Sequence, residues 1–204
     1  MQNNLKGLYV LSDDFLTPPQ TIHEQMKEAL EFGVRIIQLR DKTRSDAELE
    51  PIARGLQKLC KEYNATFIIN DRIHLAQKIG ADGLHIGIDD GSLHEARLLL
   101  PNAIIGVSCY GDIKRAKEAE EGGADYVAFG SFFPSPTKPQ SKTVPLKIIQ
   151  RAKSEICVPI CVIGGINSQN IHLVKDADMI SIVSAAYKPN SISQNLASLQ
   201  KAIS

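Results

Sequence analysis

Tyr126-Val-Ala-Phe-Gly-Ser-Phe-Phe-Pro-Ser-Pro-Thr-Lys-Pro-Gln-Ser-Lys142 couples a short apolar run to a segment of different character. Residues 126–129 are continuous and apolar, as in a strand buried on both faces. From Phe129 onward the segment carries three prolines, several hydroxyls and two lysines, without one carboxylate. Proline stiffens a loop by fixing φ, while hydroxyl and ammonium groups donate to phosphate oxygens, so this composition suits an anion. A plain surface linker has the same composition, and both readings stand on this stretch alone.

The apolar run has counterparts on both sides. Residues 8–13, 35–40, 66–70, 83–87 and 104–109 precede it, and 159–163 and 179–183 follow. Each is succeeded by a segment of helical periodicity. Residues 22–32 are amphipathic, Ser45-Asp-Ala-Glu48 is a capping box opening a helix to about Tyr63, and further helices run through Lys78, Leu100 and Glu121. Short apolar strands alternating with helices imply a parallel sheet covered by helices. Eight such units in 204 residues predict a closed α/β (β/α)8 TIM barrel rather than an open doubly wound sheet. The Pro-rich loop, at about 131–142, lies inside this alternation, between the sixth strand and the sixth helix. A single domain over 1–204 is therefore expected.

Composition narrows the function. Lys plus Arg and Asp plus Glu both number 23, so no global basic field favours nucleic acid and any phosphate site must be local. No apolar run approaches the ~20 residues of a membrane span. Cys60, Cys109, Cys157 and Cys161 form no C-x-x-C pair, and no signal segment opens the chain, which fits a reduced cytoplasm.

Barrels of this kind place their active sites at the carboxyl ends of the strands. Gln38-Leu-Arg-Asp-Lys42 closes the second strand, Asn70-Asp-Arg72 the third and Ser108 the fifth, while Asp89-Asp90 follows the fourth. Gln38 and Arg40 alternate with Leu39 and so share a face, with Lys42 just beyond. An arginine fork beside a lysine point charge suits pyrophosphate, and equally a solvated basic rim. Asp71 and Asp90 end adjacent strands, and two carboxylates beside phosphate ligands suit Mg²⁺, with Asp89 as an alternative ligand. Capping of the following helix is the competing role for either aspartate. Ile163-Gly-Gly-Ile166 and Val183-Ser-Ala185 fall where barrels hold phosphate through backbone N–H groups, although Gly-Gly also serves as a simple turn. His85 reads as a hydrogen-bonded core histidine. His23, His74, His94 and His172 fall on predicted helices, and Cys109 reads as packing rather than as a nucleophile.

Taken in order, L-Y-V-L-S-D (8–13), I-Q-L-R-D-K (37–42), I-I-N-D-R (68–72), A-D-G-L-H-I-G-I-D-D (81–90), I-G-V-S-C (105–109), G-A-D-Y-V-A-F-G-S-F-F-P-S-P-T-K-P (123–139), V-I-G-G-I (162–166) and I-V-S-A (182–185) resemble the thiamine phosphate synthase family. That family belongs to a superfamily that includes the TenI thiazole tautomerases, and the resemblance spans nearly the whole chain. It implies a transferase that couples 4-amino-2-methyl-5-hydroxymethylpyrimidine diphosphate to a (carboxy)thiazole ethyl phosphate with release of pyrophosphate.

By motif position, the resemblance assigns Gln38 to the pyrimidine diphosphate, and Arg40, Lys42, Asn70 and Lys138 to its diphosphate. Leu39 and Asp41 complete the substrate-binding stretch. Asp71 and Asp90 are implied Mg²⁺ ligands, and Ser108 lies beside the pyrimidine. Ser135, Pro136, Thr137, Gly165, Val183 and Ser184 are implied contacts of the thiazole phosphate. Arg40, Lys42, Ser108 and Lys138 are the implied catalytic groups, the Pro-rich loop an implied lid, and a homodimer the implied assembly.

Three features depart from the family pattern. Ile88 stands where many members carry Gln, and Tyr110 where many carry His. The segment 165–184 is about two residues short and lacks a usual glycine. The competing readings are a TenI-like tautomerase, which needs no diphosphate leaving group, and a non-catalytic paralogue binding thiamine-pathway phosphates.

Overall fold

The computed structural model describes residues 5–88, 91–134 and 142–203. Eight parallel strands close in sequence order: β1 (Gly7–Leu11), β2 (Ile36–Leu39), β3 (Thr66–Asn70), β4 (Gly83–Ile86), β5 (Ile104–Tyr110), β6 (Tyr126–Gly130), β7 (Ile160–Ile163) and β8 (Met179–Ile182). β1 pairs with both β2 and β8, which completes the barrel. Around it lie α1 (Ile22–Phe32), α2 (Asp46–Glu62), α3 (Ile73–Ile79), α4 (Leu93–Leu99), α5 (Ile113–Glu121), α6 (Lys147–Glu155), α7 (Ser184–Tyr187) and α8 (Ile192–Ile203). Among the described residues no helix is long and apolar enough to cross a membrane.

Alternation along the strands divides the apolar residues between two layers. Leu8, Val10, Ile37, Leu39, Phe67, Ile69, Leu84 and Ile86 join helix residues such as Met26, Leu30 and Leu56 in one core. Their neighbours Tyr9, Leu11, Ile36, Ile68, Tyr126, Ala128, Cys161 and Met179 form a second cluster without helix residues, and this one fills the lumen. The predicted capping box on α2 is present, with Glu48 N donating to Ser45 Oγ and Ser45 N donating to the Glu48 carboxylate.

The seventh unit differs from expectation. A single 3-10 turn, Ile171–Val174, stands where periodicity predicts a helix, and His172 lies in that turn. The start of segment 164–178 goes to Gly164 and Gly165, both with positive φ, and then to a turn built on Asn167. The Asn167 carbonyl accepts from Ile171 N at 2.9 Å, and its side chain accepts from Gln169 N at 2.9 Å. Too little chain is left before β8 for a longer helix and its return.

One glycine decides how the lumen packs. A Cβ on Gly106 of β5 would lie 2.0 Å from the Tyr126 ring, so the ring crosses the barrel over a strand position that has no side chain. Gly106→Ala is expected to lower unfolding free energy by about 1–3 kcal/mol, because a methyl there overpacks a closed interior. Urea denaturation measures it, and an unchanged midpoint would mean that the ring can yield.

Candidate active site

The carboxyl end of β2 is fixed first. Ser12, buried after β1, accepts from Arg40 N at 2.7 Å and donates to Arg40 O at 2.8 Å, which locks the main chain of Arg40 against β1. Asp14 faces the same residues. Its carboxylate lies 3.4 Å from the Arg40 guanidinium and accepts from Lys42 N at 2.8 Å. Lys42 Nζ pairs with Asp71, whose carboxylate also accepts from Asn70 Nδ2. Asp71 N donates to His85 O at 2.8 Å, so β3 and β4 continue in contact at the rim.

Arg40, Lys42, Asn70 and Asp71, predicted from strand ends, are thereby brought into one array of alternating charge. Asp71 has φ of +63° and does not cap the next helix, because the N-cap of α3 is Arg72. The cap of α4 is Ser92, which accepts from Glu95 N at 3.1 Å. Capping therefore does not account for the carboxylate of Asp71.

Leu39 and Asp41 differ from their neighbours. The Leu39 side chain lies in the core between sheet and helices. The Asp41 carboxylate accepts from Thr43 N and Arg44 N, each at 2.8 Å, and pairs with the Arg44 guanidinium. Burial alone would raise the Asp41 pKa, but the hydrogen bonds from Arg44 and Thr43 outweigh it and hold the carboxyl below its ordinary value. Both side chains are thus engaged within the protein. Arg72 fastens the same loop, donating to Asp41 O at 2.9 Å and Arg44 O at 2.6 Å.

Beneath the charged rim lies a polar chain across the lumen. Gln38 Nε2 donates to Tyr9 Oη, which lies 3.2 Å from Tyr126 Oη. Tyr126 Oη is 2.9 Å from His85 Nδ1, and His85 Nε2 is 2.9 Å from Ser108 Oγ. The His85 and Tyr126 rings stack with centroids 5.5 Å apart. His85 is thus the hydrogen-bonded histidine expected from sequence, with Ser108 as one partner. Gln38 is 2% exposed, and its Oε1 is a buried acceptor for which the described residues supply no donor. Burial pushes the Cys109 thiol up to about 12, which keeps it protonated and agrees with a packing role.

The sixth loop begins over β7. Phe132 N donates to Ile163 O at 3.1 Å and Phe133 N to Gly164 O at 3.0 Å. Gly165 has φ of +63°, and a Cβ there would come 2.4 Å from Pro134 O. The two glycines therefore accommodate the root of this loop, a packing duty that the bare motif did not disclose. Val183 is the N-cap of α7, without a side-chain cap, and Ser184 opens the helix. α7 is held by Tyr187 Oη donating to Leu11 O at 2.7 Å and by buried Asn195, whose Nδ2 donates to Ala186 O at 3.1 Å. Ile88 and Tyr110 are 53% and 49% exposed, and Tyr110 follows a register shift in β5 with φ of +55°. Asp89, Asp90, Ser135, Pro136, Thr137 and Lys138 lie outside the described residues.

Asp14, Tyr9 and Tyr126 were missed at the sequence level. Asp14 follows the first strand as the predicted site residues follow theirs, which was the available signal. The tyrosines carry no such mark, since a phenol in a buried strand reads as packing.

The closed barrel and the charge-bearing ends of its strands define a (β/α)8-barrel enzyme. Residues 8–186 match the family model described as thiamine monophosphate synthase. The chain is 47% identical to the thiamine-phosphate synthase of Wolinella succinogenes over 90% of this chain and 86% of that one. It is 40% identical to the protein of the same name from Nitrosococcus oceani over 94% and 90%. The solved thiamine phosphate pyrophosphorylase from Pyrococcus furiosus aligns with a TM-score of 0.88 at 35% identity, covering 98% of this chain and 96% of that one. The chain belongs to the thiamine monophosphate synthase family.

Asp14→Ala removes an acceptor from Lys42 N and the partner of Arg40. A loss of about 1–3 kcal/mol in unfolding free energy is expected by chemical denaturation, as for a hydrogen bond to a charged group.

Proposed function

We propose that the protein is a thiamine-phosphate synthase, joining the pyrimidine diphosphate to a (carboxy)thiazole ethyl phosphate and releasing pyrophosphate. The observation that carries this reading is the convergence of Arg40, Lys42, Asn70 and Asp71 at the carboxyl strand ends, with Gln38 two residues before Arg40 at the end of β2, in a chain of this family. The Arg40 guanidinium and the Lys42 ammonium suit the diphosphate, and the polar Gln38 and Ser108 suit the ring that the diphosphate leaves. Gln38 Oε1, buried and lacking a donor among the described residues, matches the exocyclic amino group of an aminopyrimidine.

The reaction breaks the bond between the pyrimidine methylene carbon and the diphosphate oxygen, whose electron pair leaves with pyrophosphate. The thiazole nitrogen lone pair then forms the new C–N bond to the methylene cation. Charge grows on the leaving oxygens as the bond breaks, so aimed cations stabilise the transition state more than the ground state. Arg40 offers a planar fork and Lys42 a point charge for that purpose. Their present partners, Asp14 and Asp71, hold them oriented before a ligand arrives. Lys138, with Ser135, Pro136 and Thr137 on the thiazole phosphate, extends this set from the sixth loop. Gly165, Val183 and Ser184 offer main-chain donors to the same phosphate.

Asp71 fits Mg²⁺ by its chemistry: it is a carboxylate at the rim, held by Asn70 and Lys42 and not used as a helix cap. Among the described residues no cluster of three metal-ligating side chains occurs, and Mg²⁺ beside a diphosphate needs only one or two carboxylates, with Asp90 as the second. Bound there, Mg²⁺ would neutralise charge on the diphosphate.

The test is incubation of the purified protein with both substrates, with Mg²⁺ and with a chelator. Thiamine phosphate and pyrophosphate are expected in equal amounts, with loss of turnover on chelation. Asp71→Asn is expected to reduce kcat on the order of a hundredfold, the scale for removing a group aimed at developing charge. Isomerisation of the thiazole with no pyrophosphate release under any condition would instead identify a tautomerase.

A further inference from the structure

The chain Gln38–Tyr9–Tyr126–His85–Ser108 contains three groups that the proposed reaction does not use directly: two phenols and an imidazole. We infer that Tyr9 and Tyr126 are positioning residues that carry the direction of the Gln38 amide donor across the lumen, so that His85 holds its proton on Nε2 and Ser108 presents its own proton to the bound ring. This rests on the reading of Gln38 and Ser108 as contacts of the aminopyrimidine.

The direction follows from counting protons. The Gln38 amide nitrogen donates to Tyr9 Oη, so Tyr9 must use its single proton elsewhere, and Tyr126 Oη stands 3.2 Å away. Tyr126 then accepts from Tyr9 and has one proton for His85 Nδ1, at 2.9 Å. An imidazole that accepts at Nδ1 is protonated at Nε2, which lies 2.9 Å from Ser108 Oγ. Ser108 accepts that bond, and its hydroxyl proton is free to point at a ligand. Burial raises the pKa of both phenols far above neutrality, so neither ionises and interrupts the sequence.

The two ends of the chain thereby acquire opposite character. Gln38 Oε1 accepts and Ser108 Oγ–H donates. A ring bearing an amino donor on one side and a lone-pair nitrogen on the other satisfies both. A ring with those positions exchanged, such as a pyrimidinone with N–H beside C=O, presents an acceptor to Gln38 Oε1 and a donor to Ser108. The opposite direction, with the Gln38 amide turned over, would put the His85 proton on Nδ1 and make Nε2 an acceptor for Ser108. In that case His85 would draw the proton of Ser108 inward.

Histidine-labelled full-length protein, examined by long-range ¹H–¹⁵N NMR at neutral pH without substrate, distinguishes the two. His85→Gln identifies the His85 signals among the five histidines. The expected result is a neutral ring protonated on Nε2, whereas an Nδ1–H tautomer or an imidazolium overturns the inference. Because this readout needs no turnover, it can fail while the synthase assay succeeds, or the reverse. In the Tyr126→Phe variant, Nδ1 loses its donor, so a mixture of tautomers is expected together with a fall in kcat of roughly ten- to a hundredfold, the scale of a misplaced reacting group. The KM for the thiazole phosphate, which lies away from the chain, should change much less. An unaltered His85 spectrum and unaltered kcat in Tyr126→Phe would also overturn the inference, and the wild-type spectrum decides the tautomer even if that variant folds poorly.

Discussion

Tyr126 reaches His85 and Tyr9 across the barrel because β5 has glycine where its ring passes. A buried phenol without a partner costs about 1–3 kcal/mol, so the ring and its contacts stand or fall together. This single crossing sets the floor of the site. It holds the His85 ring in a stacked pose and positions Ser108 through that ring. Arg115 supports the same strand end from outside, donating from Nε to Ser108 O at 2.8 Å. The lumen is thus filled by a polar rod within an apolar sleeve, and the rod sets which groups face upward.

Above this floor, charge is arranged in pairs rather than as a bare cationic patch. Arg40 and Lys42 have carboxylate partners contributed by the first and third strand ends. The carboxylates of both pairs are largely shielded from water, and the pairing restricts the long side chains of Arg40 and Lys42 to a few poses. A diphosphate entering the rim would exchange one set of anionic partners for another, with little reorientation of the cations.

Much of this was legible in the sequence because the relevant signals are local. Eight apolar runs followed by helical periodicity specify eight strands, and polar residues at their ends mark the rim. The seventh helix was misread because periodicity does not register how much chain Gly164, Gly165 and the Asn167 turn consume. Leu39 and Asp41 illustrate another limit, since membership of a motif says nothing about which way a side chain faces. Tyr9 and Tyr126 lie far apart in sequence and meet only through barrel closure, a relation that no local pattern encodes. Asp14 required knowing that the loop after β1 folds back toward β2.

The first four residues after β6 add one more consequence. Phe132 and Phe133 bond through their main chains to Ile163 and Gly164, and Pro134 lies against Gly165. Mechanically, the stem of the sixth loop and the end of β7 are one body. A force applied at either is felt at the other without any side chain to relay it. Two of the three strand ends proposed to share the thiazole phosphate would therefore take up its binding strain jointly, like two jaws cast on the same block.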